Sequence, residues 1–121
     1  MRARALSILV ALTTGMALPT HAANLGWLKG TIIERYDDRD RSILGSELLN
    51  ALDFQPDGVA ITWWNARSGH WGVITPLDRS VRDGVECRRV RIQNHLDERK
   101  GLVHYTVCRR PGEDWMLASI D

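Results

Sequence analysis

The stretch from Val85 to Arg110, VECRRVRIQNHLDERKGLVHYTVCRR, constrains this chain more than any other. Two runs rich in valine, isoleucine and tyrosine flank a polar break containing glycine, which is the pattern of a β-hairpin. Each run carries one cysteine, Cys87 and Cys108, and the sequence has no others. Folding the hairpin about Asp97–Glu98 sets Asn94 opposite Gly101, Ile92 opposite Val103, Val90 opposite Tyr105 and Cys87 opposite Cys108. Directly opposed antiparallel residues have Cα atoms about 4.5–5.5 Å apart, within the span of a disulfide. A single register therefore aligns the apolar residues and pairs the thiols, and a Cys87–Cys108 disulfide is predicted.

A disulfide needs an oxidising compartment, and the N-terminus reads as the route to one. Met1–Arg4 is short and basic, Ala5–Leu18 is almost wholly apolar, and Thr20 and Ala22 are small residues where a signal peptidase reads. Residues 1–22 are thus expected to be a signal peptide, cleaved after Ala22 or Ala23. The apolar run is shorter than the roughly 18 residues of a membrane span, so no transmembrane segment is expected once the leader is removed. The expected location is periplasmic or secreted. Outer-membrane association would need something other than a lipid-attachment cysteine, because none lies near the cleavage site. Cleavage takes Arg2 and Arg4 from 16 basic residues and nothing from 15 acidic ones, so the balance changes from +1 to about −1. Such a charge gives no argument for a nucleic-acid partner. Residues 23–121 are the length of one small domain. A domain of that size buries only around two thirds of its unfolded surface, and one disulfide across such a loop is worth about 3 kcal/mol.

After the leader, Asn24–Tyr36 has no sustained period and reads as an extended arm whose Trp27, Ile32 and Ile33 reach the core. Asp37-Asp38-Arg39-Asp40 then places acids where a helix N-terminus favours them. Leu44, Leu48 and Leu52 follow at four-residue steps with Ile43 and Ala51 beside them, so a helix is predicted over Asp38–Asp53. Gln55-Pro56-Asp57-Gly58 is turn chemistry. Val59–Trp64 reads as a strand. With Ala66-Arg67-Ser68 as the connection, Asn65 faces Gly69 and Trp63 faces Trp71, an aromatic pair, and Gly69 supplies the left-handed residue. Pro76 is expected to stop the next strand, leaving Leu77–Gly84 as a charged link that turns at Asp83–Gly84. The cysteine hairpin follows, then a turn at Pro111–Asp114 and a final strand, Trp115–Ile120. The fold class is α+β, with one N-terminal helix on a curved antiparallel sheet of about five strands, stapled by one disulfide.

Several short motifs on this path are those of a known family. They are Trp64-Asn65 with Ser68-Gly69, then Gly72-Val73-Ile74-Thr75-Pro76, then the pairs Cys87-Arg88 and Cys108-Arg109, and Gly112 to Trp115. In this order they resemble the C-terminal domain of the bacterial outer-membrane surface-antigen family, of the rickettsial seventeen-kilodalton type. The likeness covers roughly Leu48 to Leu117. It implies an envelope location and a small stapled β-rich domain over residues 23–121, and it supplies no catalytic residue. Many members carry a lipid-attachment cysteine and a glycine-rich segment before this domain, and neither pattern is present here.

The residues themselves offer little chemistry. Of the four histidines, His21 leaves with the leader, and His70, His95 and His104 make no metal-binding spacing. His70 and His104 read as solvent-facing sheet residues. A nucleophile elbow, a P-loop and a dinucleotide fingerprint are all missing. Close carboxylates such as Asp53 and Asp57 are unspecific among so many acids. No enzyme activity, cofactor or metal is expected. Trp63 and Trp64 lie on opposite faces of their strand, so one should be partly exposed, where it could anchor a sugar or a protein partner. In the cysteine hairpin, Val90, Ile92, Val103, Tyr105 and Val107 share one face and should pack under the helix, with Glu86 opposite Arg109 at the rim. The other face carries Cys87, Arg89, Arg91, Gln93, Leu102, His104, Thr106, Cys108 and Arg110, with no acid. Arg89, Arg91, His104 and Arg110 are therefore the candidate binding face for an anionic partner such as a phosphorylated lipid, an acidic glycan or an acidic protein patch. The plainer alternative is a solvated face covered by arginine stems. The expected function is a non-catalytic exported cell-envelope protein with a structural or binding role toward an unidentified envelope component. An inhibitor or accessory subunit of an exported enzyme or secretion system is the alternative.

Overall fold

The helix α1 spans Asp38–Phe54, one residue beyond the predicted end. Asp37 opens it: its Oδ1 accepts from the Asp40 amide at 2.7 Å, and Asp40 Oδ2 accepts from the Asp37 amide at 3.1 Å. That reciprocal box satisfies two of the amides every helix start leaves open. The predicted stripe is the buried one, with Leu44, Leu48, Ala51 and Leu52 fully enclosed. In the computed structural model Trp27, Leu28 and residues 32–121 are described, and the expected leader lies outside them.

Five strands follow as an antiparallel meander in the order β1-β2-β3-β4-β5. They are β1 (Ile61–Trp64), β2 (Trp71–Arg82), β3 (Val85–Leu96), β4 (Arg99–Arg109) and β5 (Met116–Ile120). The α+β class, the helix on the sheet and the single staple are as expected. The cysteine hairpin has the predicted register at every pair named above, and Cys87 is bonded to Cys108 with Cα atoms 4.1 Å apart.

Four local expectations are corrected. β1 begins at Ile61 rather than Val59, because the Gly58 amide donates to Pro76 O at 2.7 Å and Val59 closes the preceding turn onto Pro56 O. The β1–β2 loop holds four residues, with the Asn65 amide donating to His70 O and the Gly69 amide to Asn65 O. Gly69 does take the left-handed conformation, φ 76°. The longer loop shifts the register, so Trp64 faces Trp71 and Trp63 faces Gly72. Pro76 does not stop β2. The strand passes through a bulge between Pro76 and Arg79 and continues to Arg82, since a bulge is where a strand tolerates proline. The supposed link 77–84 is therefore half of a second hairpin, closed by Asp83 and Gly84 with φ 53° and 75°. Positive values at both central residues give the turn that matches strand twist. Within the expected extended arm, Ile33–Arg35 forms a 3-10 turn.

One face of the sheet is filled. Helix α1 packs on β1 and β2, while Trp27, Leu28 and Ile32 lie against the core toward β4. Trp27 meets Tyr105 edge to face with ring centroids 5.5 Å apart. A row across this inner face reads Trp63, Gly72, Asn94, Gly101. The two glycines are spaces rather than hinges. A Cβ on Gly72 would strike the Trp63 indole and lie 2.7 Å from Gln93 O, and one on Gly101 would lie 2.6 Å from Ile32 Cδ1.

The Gly72 space generates a test. Gly72→Ala forces overpacking beneath Trp63 and should destabilise by about 1–3 kcal/mol. Equilibrium unfolding monitored by tryptophan fluorescence measures this, and an unchanged midpoint would contradict the packing.

Candidate functional site

Strand alternation leaves the second face of the sheet without a covering element among the described residues. Register places Trp64, Trp71, His95 and Lys100 in one row across β1 to β4, with Val73, Gln93 and Leu102 in the next. Thr75, Arg91 and His104 form a third row. Trp64 is 63% exposed and Trp71 38%. Trp63 is buried, so the expected exposed tryptophan is Trp64. Trp71 finds its ring partner in His95, stacked at 3.8 Å and 4°. The expected Trp63–Trp71 pair does not form. Trp63 instead packs edge to face on Tyr36 at 5.1 Å.

Three of the four candidate residues lie on this outer face. Arg91 and His104 are directly opposite, and Arg89 sits opposite Thr106. Arg110 falls just past β4 and lines a separate hollow with Val81, Glu86 and Pro111. The face is not free of acid. The β2 bulge brings Asp78 to Arg89, with Oδ2 3.0 Å from Nη1. Both groups are well exposed, and such a pair contributes at most about 1 kcal/mol. Arg91 has no ion-pair partner among the described residues, and its Nε is buried without an acceptor.

A second cluster escaped the sequence reading. Asp40, fully buried, accepts at Oδ1 from Asn65 Nδ2 and Ser68 Oγ, each at 2.7 Å. Its Oδ2 lies 2.7 Å from His70 Nδ1, and His70 Nε2 lies 3.3 Å from Asp97 Oδ1. His70 is thus no solvent-facing sheet residue. It bridges the helix start, the β1–β2 loop and the β3–β4 turn. A serine, a histidine and an aspartate in one place invite comparison with a hydrolytic triad, but the connectivity is wrong. Ser68 Oγ donates to the aspartate, whereas a triad needs it on the imidazole. Asp53 and Asp57, the unspecific carboxylates, are separately engaged by Arg109 and Arg88. No three metal-ligating side chains come together to hold an ion among the described residues. Nor is any helix among them long and apolar enough to cross a membrane.

Fold and site together define a disulfide-stapled α+β domain with one filled sheet face and one that the described residues leave uncovered. No family model and no solved structure matches the chain. It is similar to the 17 kDa surface antigens of Rickettsia bellii, with 25% identity over 84 residues, and of Rickettsia conorii and Rickettsia rickettsii, with 25% over 85. Each match covers 69% of this chain and 53% of the relative, so the chain spans about half the length of the curated relatives it matches. The resemblance read from the motifs is therefore found again in whole-sequence comparison.

Of the motif residues, Asn65, Ser68, Arg88, Arg109 and Trp115 tie the fold together, whereas Trp64 is exposed on the outer face. Asn65 and Ser68 are donors to Asp40. Arg88 reaches the end of α1. Arg109 donates to Asp53 at 2.7 Å and to Glu86 at 3.2 Å, and lies 4.2 Å above the Trp115 ring. Trp115 Nε1 donates to the same Asp53 at 3.0 Å.

The Asp40–His70 contact makes stability pH-dependent. The hydrogen bond to Asp40 is the main cause that raises the His70 pKa above its ordinary 6.5, against opposition from burial. For Asp40 burial is the largest effect and acts upward, but hydrogen bonds from His70, Ser68, Asn65 and the Asp37 amide together hold it below 3.8. A raised histidine contributes fully below 6.5 and loses that contribution as pH rises through its folded value. A lowered aspartate contributes fully above 3.8 and loses it as pH falls. Melting temperature should therefore decline from slightly acid to alkaline pH, and His70→Gln should flatten that decline. A variant with the wild-type pH slope would contradict the assignment.

Proposed function

We propose that this chain is an exported, non-catalytic cell-envelope protein whose bare sheet face binds an anionic envelope component. The observation that carries this reading is Arg91, a cation that among the described residues has no ion-pair partner and lies on a face they leave uncovered. Other outward strand positions on the same face carry Arg82, Arg89 and Lys100, with Asp78 as the opposing acid among the described strand residues. Such an excess favours an anionic partner, because guanidinium groups make charge-assisted, two-pronged bonds to carboxylates and phosphates. Export is supported by the basic-then-apolar N-terminus, by a disulfide and by relatives named surface antigens. The absence of a catalytic role is supported by the mis-connected Ser68–Asp40–His70 cluster and by the same names. Arg110 stands at the rim of the scheme rather than at its centre.

The test is an Arg89→Ser/Arg91→Ser double variant assayed by co-sedimentation with isolated cell envelopes at low and high salt. Both side chains point away from the core, so folding should be nearly intact. Envelope association should fall several-fold at low salt, and the wild type should lose the same increment when salt is added, since screening acts on exposed charges. Unchanged association would leave the arginines as a solvated face. Retention on a single exported protein in place of the envelope would shift the reading to an accessory subunit.

A further inference from the structure

We propose that the occupant of the outer face is an acidic polysaccharide strand, lying across β1 to β4 along the row Trp64, Trp71, His95, Lys100. The inference rests on the anionic-partner reading above and names its chemistry. Three interstrand steps give the row a length of about 14 Å, the reach of a short run of sugar rings. Its first half is aromatic and open to solvent. A pyranose presents an apolar C–H face that covers a flat indole, and large aromatic rings are the side chains that most often anchor a ligand. Trp71 is held ring to ring against His95, which fixes a platform rather than a projecting wedge. The row then ends in a hollow of about 330 Å³ lined by Gln93, His95, Lys100, Gly101 and Leu102. The Gln93 amide and the Lys100 ammonium there suit hydroxyls and a carboxylate on the sugar edge. Arg91, without an ion-pair partner among the described residues, lies farther along β3 on the same face and suits a second acidic group.

The same features argue against the other occupants. A second copy docked face to face would bring two faces with the same cationic excess together, since a two-fold contact uses the same patch on both subunits. A lipid surface would take a continuous apolar patch. Here the exposed apolar side chains of the face, the tryptophan pair, Leu102 and Met116, are set apart by Gln93 and His95 on one side of Leu102 and by His104 and Thr106 on the other.

The chain is titrated with an oligomer of uronic acid, with neutral dextran and with phosphatidylglycerol vesicles, following intrinsic tryptophan fluorescence and co-sedimentation. The uronic acid oligomer should perturb the fluorescence and bind far more tightly than dextran. Trp64→Ala and Lys100→Gln should each weaken it about tenfold without moving the thermal midpoint. Equal binding of dextran, binding of vesicles alone, or uronic acid binding indifferent to Trp64→Ala and Lys100→Gln would each overturn the inference. If no polysaccharide binds while envelope association still depends on Arg89 and Arg91, the sugar assignment falls and the anionic-partner reading stands. If envelope association is also indifferent to those arginines, both fall.

Discussion

The buried guanidinium of Arg88 is the contact on which the rest of this architecture depends. A helix that ends inside a protein leaves its last carbonyls without partners and the negative end of its dipole uncompensated. Helix α1 has no basic residue in its last turn. Arg88, only 1% exposed, arrives from the first third of β3 and supplies what is missing. Its Nη1 donates to Ala51 O at 2.9 Å and Leu52 O at 2.8 Å, and its Nη2 to Gln55 O and to Asp57 Oδ1. Only a planar fork can serve so many acceptors from one side chain, so lysine is no substitute. The staple adjoins this contact in sequence, because Cys87 holds β3 to β4 one residue away.

From this anchor the two faces of the sheet follow. The C-terminal end of α1 is tied by Arg88 and by the Asp53–Arg109–Trp115 cluster, and its N-terminal end by Asp40 to the β1–β2 loop. With both ends fixed, the leucine stripe closes over β1 and β2, and the arm residues Trp27, Leu28 and Ile32 complete the cover toward β4. Among the described residues, the helix and arm contacts lie on this one side. The other side carries Trp64, Trp71, His95, His104 and Arg91, the last without an ion-pair partner among the described residues.

How much of this was legible in the sequence depended on whether local or distant residues decide each feature. The cysteine hairpin was legible because side-chain alternation, a short turn and a pair of thiols agree on one register. The helix was legible from its stripe and acidic start. The β1–β2 register was not, because the choice between a three- and a four-residue loop is made by Asp40 drawing in Asn65 and Ser68 from 25 and 28 residues away. Pro76 misled because a bulge removes the cost that proline carries in a regular strand. Arg88 stood out in the sequence only as half of the Cys87-Arg88 motif. Its place on the apolar face, between Glu86 and Val90, was the available sign that a buried cation must find acceptors. The aromatic row could not be assembled while Trp63 and Trp64 were out of register by one, since a single step exchanges the faces.

The most direct measurement of whether Arg88 closes the domain is native-state hydrogen exchange on Arg88→Met, with chemical denaturation for global stability. Methionine fills similar volume and donates nothing, which leaves buried helix-end carbonyls unsatisfied at about 1–3 kcal/mol each. The account predicts a loss of at least about 2 kcal/mol. It also predicts that amides of α1 exchange sooner than those of the disulfide-bonded β3–β4 hairpin. Wild-type stability with unchanged protection in α1 would contradict it.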